Sequence, residues 1–445
     1  MPFSGNSNKG KAVSGSSLEE QGRLSFHWAR RNTPLFRLAE RFVQRQISLG
    51  RKENPFLGLR IAACLHVSKE TAVLMESLNR FGAKILLVAA NPLSSQPEIV
   101  AFLSSLGIEV RARRDETASE YEKEIELAAA SQPDLIIDDG AELHVAYASN
   151  ISGRNSRAKR TCFGGTDETT SGTIRLRALD RRRLLTYPVI AVNEAPTKHI
   201  FDNKYGTGQS TIDGLIRSTG LLLAGKVVVV VGFGWVGSGV AARAKGMGSR
   251  VIVTEVNPIR ALEAHLEGFE VMRMIDAACI GEVFLTCTGQ TGVITSSDIA
   301  KMRDGAILAN VGHFEREIDV RSLFRVADRV SEVRAGIAEF EIKSQSGRSR
   351  KSIFLLNQGR VVNLASAEGH PPEIMQLSFA NQLLSLHYLA SRKHKSKKGV
   401  AKRVELVMPV PREIDEMVSR FALKAFGLKI DSLRKDQMKY SDSYH

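Results

Sequence analysis

The residues whose types and spacing point most directly to chemistry are Gly232-Phe233-Gly234-Trp235-Val236-Gly237. They match G-x-G-x-x-G, follow the five valines Val227 to Val231, and open the helical run VAARAKGMG. Strand, glycine turn and helix in that order form the context in which this motif binds a dinucleotide. The glycines permit a tight turn and close backbone approach, so a pyrophosphate can meet a helix N-terminus. Glu255 ends the next strand-like run, eighteen residues after Gly237. A carboxylate there accepts hydrogen bonds from a ribose 2′-hydroxyl and repels a 2′-phosphate, so NAD is expected rather than NADP. Asn257 and Arg260 follow, and Arg260 could tolerate the phosphate.

Other residues have the types needed for proton transfer, and spacing alone leaves each open. His66 follows RIAACL, at the carboxyl end of a strand, where open α/β sheets bind ligands; a lone histidine also fits a structural place. Asp138 and Asp139 follow a second strand, either as an acid pair or as a turn cap. Lys198, in TKHIFDN, could act as a base only if burial or nearby charge left its amine partly deprotonated near neutral pH. A surface lysine is the alternative. Asp202-Asn203 is by itself turn chemistry, and Thr169, Thr170 and Ser171 make a hydroxyl-rich loop.

The elements that must position these groups are short apolar runs separated by helical patterns. RIAACLHV (60–67), KILLVAA (84–90), IEVRAR (108–113), DLIIDDG (134–140) and PVIAVNEA (188–195) read as strands of a parallel sheet covered by helices. A second series starts at Gly225: VVVVVGFGWVG (227–237), SRVIVTEVNP (249–258), GFEVMR (268–273), EVFLTCTG (282–289) and DGAILANVG (304–312). VVNLASAEGH (361–370) closes it and leads into a helix near Pro372. The expected fold is therefore α/β, with two doubly wound parallel sheets and a small helical piece over 412–427 after a basic linker at 392–403.

At 445 residues the chain can bury two or three cores. No apolar stretch approaches the ~18–20 residues of a membrane span, so no membrane partner is expected. The Ser-, Gly- and Asn-rich start lacks an apolar signal core and reads as a disordered tail over 1–19, consistent with a cytoplasmic location. Four cysteines show no metal-ligand spacing, and Cys64, Cys279 and Cys287 are expected as buried thiols. Lys and Arg number 62 against 48 Asp and Glu, a net charge of +14. The excess lies in short runs (154–160, 181–183, 348–351, 392–398) without interleaved aromatics, so solvated loops are expected rather than a nucleic-acid surface.

Beyond the glycine motif, NEAPTKHIFDNKYGTGQSTIDGLIRSTGLLLAGK (193–226) resembles the segment that leads into the cofactor domain of S-adenosylhomocysteine hydrolases. CLHVSKET (64–71), IIDDGAEL (136–143), GTDETTSG (165–172), NVGHFEREID (310–319) and VVNLASAEGHP (361–371) resemble other blocks of that family, in order. The similarity is greatest to its shorter archaeal and bacterial branch. The resemblance implies a substrate-binding domain over 20–200 and 364–395, a Rossmann NAD-binding domain over 208–362, and an oligomerisation segment over 400–445 of a homodimer or homotetramer. It also implies the reversible hydrolysis of S-adenosyl-L-homocysteine to adenosine and L-homocysteine, in the activated methyl cycle. In that family NAD⁺ oxidises the ribose 3′-hydroxyl, the C4′ proton is removed, homocysteine is eliminated, water adds, and the ketone is reduced again.

Residue by residue, the resemblance gives Lys198 the 3′-hydroxyl proton and sets Asp202 and Asn203 beside the ribose and nicotinamide. It assigns His66 and Asp139 to the C4′ and C5′ steps, Glu168 to the ribose hydroxyls, and His313 to the ribose, with Asn310 and Gly312 just before it. Thr169, Thr170, Ser171 and Asn363 would contact NAD. Ser68, Glu70, His370 and Phe379 would form the purine pocket. Glu368 stands where longer relatives carry methionine, which leaves another purine such as hypoxanthine open. An ordinary 2-hydroxyacid dehydrogenase and an NAD-binding paralogue without catalysis are the other readings.

Overall fold

Val-, Ile- and Leu-rich runs form the strands because side chains on both faces of a parallel sheet are covered by helices. The computed structural model describes residues 17–48, 54–152, 161–312, 316–343, 349–392 and 405–441. In the first half the strands are β1 Arg60–Leu65, β2 Lys84–Ala89, β3 Glu109–Arg111, β4 Leu135–Asp138, β5 Gly164–Asp167 and β6 Val189–Ala191. The second half holds β7 Val227–Val231, β8 Arg250–Thr254, β9 Glu270–Val271, β10 Val283–Thr286, β11 Ala306–Asn310, β12 Ala327–Arg334, β13 Ile337–Lys343 and β14 Arg350–Leu356. Near the end comes β15 Val407–Pro409.

The first sheet is parallel throughout, in the order β15-β6-β5-β4-β1-β2-β3. Strand order reverses between β1 and β4, and the crevice at such a switch point is where open α/β sheets bind ligands. The register pairs Cys64 with Asp138, Asp138 with Asp167, and Asp167 with Ala191. The residues just past these ends, His66, Asp139, Glu168 and Asn193, are therefore delivered to one edge. On one face, the helices Leu18–Arg31, Pro34–Ser48, Lys69–Arg80 and Arg412–Ala425 pack with Pro372–Ala390 around Leu35, Phe36 and Leu383. Each such fully buried side chain stabilises the fold by about 1.5–3 kcal/mol. Pro372–Ala390 is buried nearly all round, which a helix between a sheet and other helices must be.

The second sheet runs β12-β13-β14-β11-β10-β7-β8-β9. Its reversal lies between β7 and β10, so the glycine turn after β7 stands at a second switch point. This sheet is mixed: β12, β13 and β14 pair antiparallel, and β14 joins β11 in parallel.

Several expectations change. Gly164–Asp167 is a strand that its Gly-Gly-Thr-Asp sequence does not announce, since these residue types are poor strand formers. VVNLASAEGH supplies one bridge, Val361 to Asn310, and then the helical turn Val362–Ala365. Cys279 is exposed, while Cys64 and Cys287 are buried. Leu18 and Glu19 open a helix capped by Ser17, and residues 1–16 lie outside the described residues. The stretch 405–425 does not stand apart: Val407–Pro409 pairs with β6, and Ile414 and Val418 enter the first core. The basic runs at 154–160 and 393–398 fall outside the described residues.

Candidate active site

Lys198 lies on the short helix Pro196–His199 and is only 4% exposed, so its amine must find partners inside the protein. Its Nζ donates to Asn203 Oδ1 at 2.9 Å and Asn193 Oδ1 at 3.3 Å, and lies 3.4 Å from Asp202 Oδ2 and 3.7 Å from Glu168 Oε1. Asp202 opens a π-helical turn, Asp202–Gly206, that brings it back onto Lys198. Such turns often mark functional sites. Burial alone would lower the lysine's pKa; the carboxylates of Asp202, Glu168 and Asp139 outweigh it and hold the pKa above its ordinary value. The direction is toward the ammonium form because more than one carboxylate faces the amine.

Glu168 follows β5. Its Oε2 accepts from Gln382 Nε2 at 2.5 Å, while Oε1 is buried and makes no hydrogen bond. Burial pushes the Glu168 carboxyl up to about 7, against the pull of Lys198. Asp202 is buried as well, but Lys198 and His370 overcome that penalty and hold it below the usual carboxylate range. Its Oδ1 lies 2.6 Å from His370 Nδ1, and its Oδ2 accepts from Ser378 Oγ at 2.5 Å.

A second pair stands at the switch point. His66 Nε2 lies 3.4 Å from Asp139 Oδ2, and His66 Nδ1 is 2.8 Å from Ser94 Oγ. The backbone there is fixed by two buried acids. Asp138 accepts from the N–H groups of Asp139 and His144, and burial pushes it up to about 7. Asp167 accepts from the N–H groups of Ala141 and Thr169, and burial raises it well above its usual range.

The remaining expected residues fall around these centres. Thr169 caps the helix Thr170–Arg181, Ser171 Oγ donates to its hydroxyl, and Thr170 Oγ1 accepts from Asn193 Nδ2 at 2.7 Å. Ser68 caps Lys69–Arg80 through its hydroxyl, and Glu70 is buried in the first turn, where burial raises its pKa against the pull of Lys69. Lys69 Nζ lies 3.2 Å from Glu70 and 2.6 Å from Glu368, tying the 361–370 segment to that helix. His370 joins the lysine cluster through Asp202 and lies 3.2 Å from Thr207 Oγ1. Phe379 sits in the apolar core of the first sheet rather than among these polar groups. His313 lies outside the described residues.

The glycine turn is fixed by backbone. Gly232 has φ +96°, a region that favours glycine, and its N–H donates to Thr254 O at 2.7 Å. A Cβ on Gly237 would come 1.9 Å from Gly232 O, so the helix Trp235–Gly246 reaches the turn only without a side chain there. Gly234 precedes that helix with open space beside it, and Val236 is half-buried within it. Glu255 accepts from Phe233 N at 2.6 Å, Val256 N at 2.7 Å and Asn257 N at 2.9 Å, which clamps the turn to the end of β8. Asn257 caps Pro258–Leu266. Arg260 pairs with Glu263 and lies over the Trp235 ring at 5.6 Å. Asn310 ends β11 and bonds Thr286 and Gly312.

These residues fit NAD. The turn leaves a side-chain-free cradle at a helix N-terminus. Asn363 Oδ1 is buried without a hydrogen bond, an acceptor suited to a carboxamide amine.

Asn193, Ser94, Ser378 and Gln382 belong to the site and were not singled out from the sequence. Asn193 and Ser94 follow strand ends, a signal that could have found them. Ser378 and Gln382 arrive on a helix 176 residues from Asp202 and 214 from Glu168 respectively, with no local signal. Thr197 adds support from farther still: its hydroxyl bonds Asn381, and its N–H donates to Asp415 Oδ1 at 3.0 Å.

Comparison with known proteins identifies the family. Residues 13–160 match the family model of S-adenosyl-L-homocysteine hydrolase, and residues 203–369 match that of its NAD binding domain. The chain is 47% identical over 424 residues to the adenosylhomocysteinase of Aeropyrum pernix, covering 95% of this chain and 96% of the relative. It is 47% identical over 426 residues to that of Sulfolobus acidocaldarius, with the same coverages. It is also 44% identical over 429 residues to the S-inosyl-L-homocysteine hydrolase of Methanocaldococcus jannaschii, covering 96% and 97%. This chain belongs to the S-adenosyl-L-homocysteine hydrolase family, as a hydrolase with NAD as its cofactor.

Proposed function

We propose that the protein hydrolyses S-adenosyl-L-homocysteine reversibly to adenosine and L-homocysteine, through transient oxidation at the ribose 3′ carbon. The observation that carries this reading is the buried cluster of Lys198 with Glu168, Asp202, Asn193 and Asn203, in a chain that also builds a dinucleotide turn. When bound, NAD supplies the hydride acceptor for that carbon and returns the hydride at the end.

The chain's own residues handle binding and protons. Glu168 Oε1 offers a buried acceptor to the ribose hydroxyls. Lys198 exchanges the 3′-hydroxyl proton, with Asn193, Asn203, Asp202 and Glu168 around its amine. Asp202 and Asn203 hold the amine in place. His66 and Asp139 exchange the protons at C4′ and C5′, and Ser94 orients the imidazole through Nδ1. Gly232, Gly234, Trp235, Val236 and Gly237 receive the pyrophosphate, and Glu255 the adenosine ribose. Asn257 and Arg260 border that ribose, and Asn363 holds the carboxamide. Thr169, Thr170, Ser171, Asn310, Gly312 and His313 complete the cofactor and ribose contacts. Ser68, Glu70 and His370 surround the purine.

In this reading residues 20–200 and 364–395 bind substrate, 208–362 bind NAD, and 400–445 serve assembly of a cytoplasmic homodimer or homotetramer. No helix among the described residues is long and apolar enough to cross a membrane.

A second reading keeps the chemistry and changes the base to hypoxanthine. Lys69, between Glu70 and Glu368, favours it by placing a donor where a 6-oxo group could accept. Homocysteine release is measured with a thiol reagent, from the adenosyl and inosyl substrates in parallel, with NAD added and the nucleoside removed. NAD-dependent release from the adenosyl substrate supports the first reading, and faster release from the inosyl substrate the second. No release from either by NAD-loaded protein contradicts both and favours a non-catalytic paralogue.

A further inference from the structure

A cavity of about 540 Å³, which shares no lining residue with the lysine cluster or the glycine turn, is lined by four arginines. Arg114 follows β3, Arg217 lies on the helix Thr207–Thr219, Arg334 ends β12, and Arg360 follows β14. The walls therefore come from elements of both sheets. Glu332 is the one carboxylate in the lining, and it is turned onto its own hairpin, accepting from Gly336 N at 2.9 Å. Arg217 is paired with Asp213 at 2.8 Å. Among the described residues, Arg114 donates to a neutral carbonyl alone, Ala365 O, at 3.3 Å. Neither Arg114 nor Arg334 has an ion pair among the described residues.

Like charges gathered in a concavity raise the local potential and draw in counter-ions. Guanidinium forks match phosphate oxygens two at a time. The volume falls within the ~300–1,000 Å³ of small-ligand sites. One wall also contains Asn357 and Gln358, at φ +49° and +57°. Non-glycine residues held in that region carry strain that gathers at ligand sites. Asn357 Nδ2 donates to Ser366 Oγ at 2.7 Å, linking this wall to the segment that carries Asn363.

We propose that this cleft is a binding site for a small polyphosphate anion, held chiefly by Arg114 and Arg334. The inference is independent of the substrate reading above. Its source is either inorganic polyphosphate or the triphosphate of a nucleotide.

Binding of inorganic tripolyphosphate, and separately of ATP, to the full chain is followed by titration calorimetry, with saturating NAD so that the glycine turn is occupied. One site per chain is expected, with affinity that falls as salt rises. The double variant Arg114→Gln/Arg334→Gln should weaken it at least tenfold and leave turnover without polyphosphate unchanged. Glu332→Gln should tighten it. ATP binding more tightly than tripolyphosphate would assign the site to a nucleotide, and equal affinity to inorganic polyphosphate. No saturable binding to the wild-type protein, or undiminished binding to a double variant with unaltered melting temperature, would overturn the proposal.

Discussion

At the carboxyl end of β7, the cofactor turn is made of backbone. Gly232 and Gly237 contribute by having no side chain, and Glu255 reaches back to hold three N–H groups. At the carboxyl ends of β1, β4, β5 and β6 the materials are the opposite. His66, Asp139, Glu168 and Asn193 project side chains, and Lys198, Asp202, Ser378 and Gln382 arrive from helices to pair with them or with one another. A turn made of backbone needs six contiguous residues. A buried ionic cluster needs partners from across the chain, because each charge taken out of water must be matched.

That contrast can be broken most sharply at Lys198. Lys198→Ala should lower turnover by about 10²–10⁴-fold, the usual range for a lost proton-transfer group. It also leaves Glu168 and Asp202 buried without their cation, so a stability loss of about 3–5 kcal/mol is expected. Protonating those acids relieves the loss, so the variant's urea midpoint should recover as pH falls. Turnover unchanged from wild type would remove Lys198 from the chemistry.

Gly237→Val tests the other region. Its side chain would start 1.9 Å from Gly232 O, so NAD retention on dialysis should be lost while the first sheet keeps its fold. Full retention would mean that the turn does not hold the cofactor.

The effect expected at Glu168 is smaller and lies in pH. Its carboxylate form accepts the ribose hydroxyls, so wild-type kcat/KM should rise with an inflection near pH 7, and Glu168→Gln should lack that inflection. Stability has the reverse sign. The folded pKa of about 7 exceeds the ordinary value of 4.5, so stability present below pH 4.5 is lost between there and 7 in the wild type, but not through this residue in the variant. An identical inflection in both proteins would assign it elsewhere. The smallest change is expected from Glu255→Ala, which should relax the preference for NAD over NADP. An unaltered ratio would confine Glu255 to its clamp on the turn.

How much of this was legible in the sequence follows the same division. The valine run, the glycine hexad and Glu255 lie close together in the chain, and local spacing identified them. Strands rich in Val, Ile and Leu were readable for the same reason. Gly164–Asp167 was not, because neighbouring strands impose that conformation on residues that do not favour it. The strands β12 to β14 were not singled out either, and only β12 is mostly exposed. In the cluster, Lys198, Asp202 and Glu168 were readable only through family resemblance. Spacing says nothing of Gln382 meeting Glu168 or Asp415 supporting Thr197. The charge state of Lys198 stays open from spacing because it depends on three carboxylates from separate segments.

The central claim is that the ribose is oxidised and restored within one turnover. Its most direct test is to incubate NAD-loaded protein with adenosine in deuterium oxide and examine the recovered nucleoside. Deuterium at C4′, with no more reduced cofactor than protein, is the predicted result, because only a 3′-ketone makes that proton exchangeable. Homocysteine release from S-adenosyl-L-homocysteine with no label at C4′ would contradict the account.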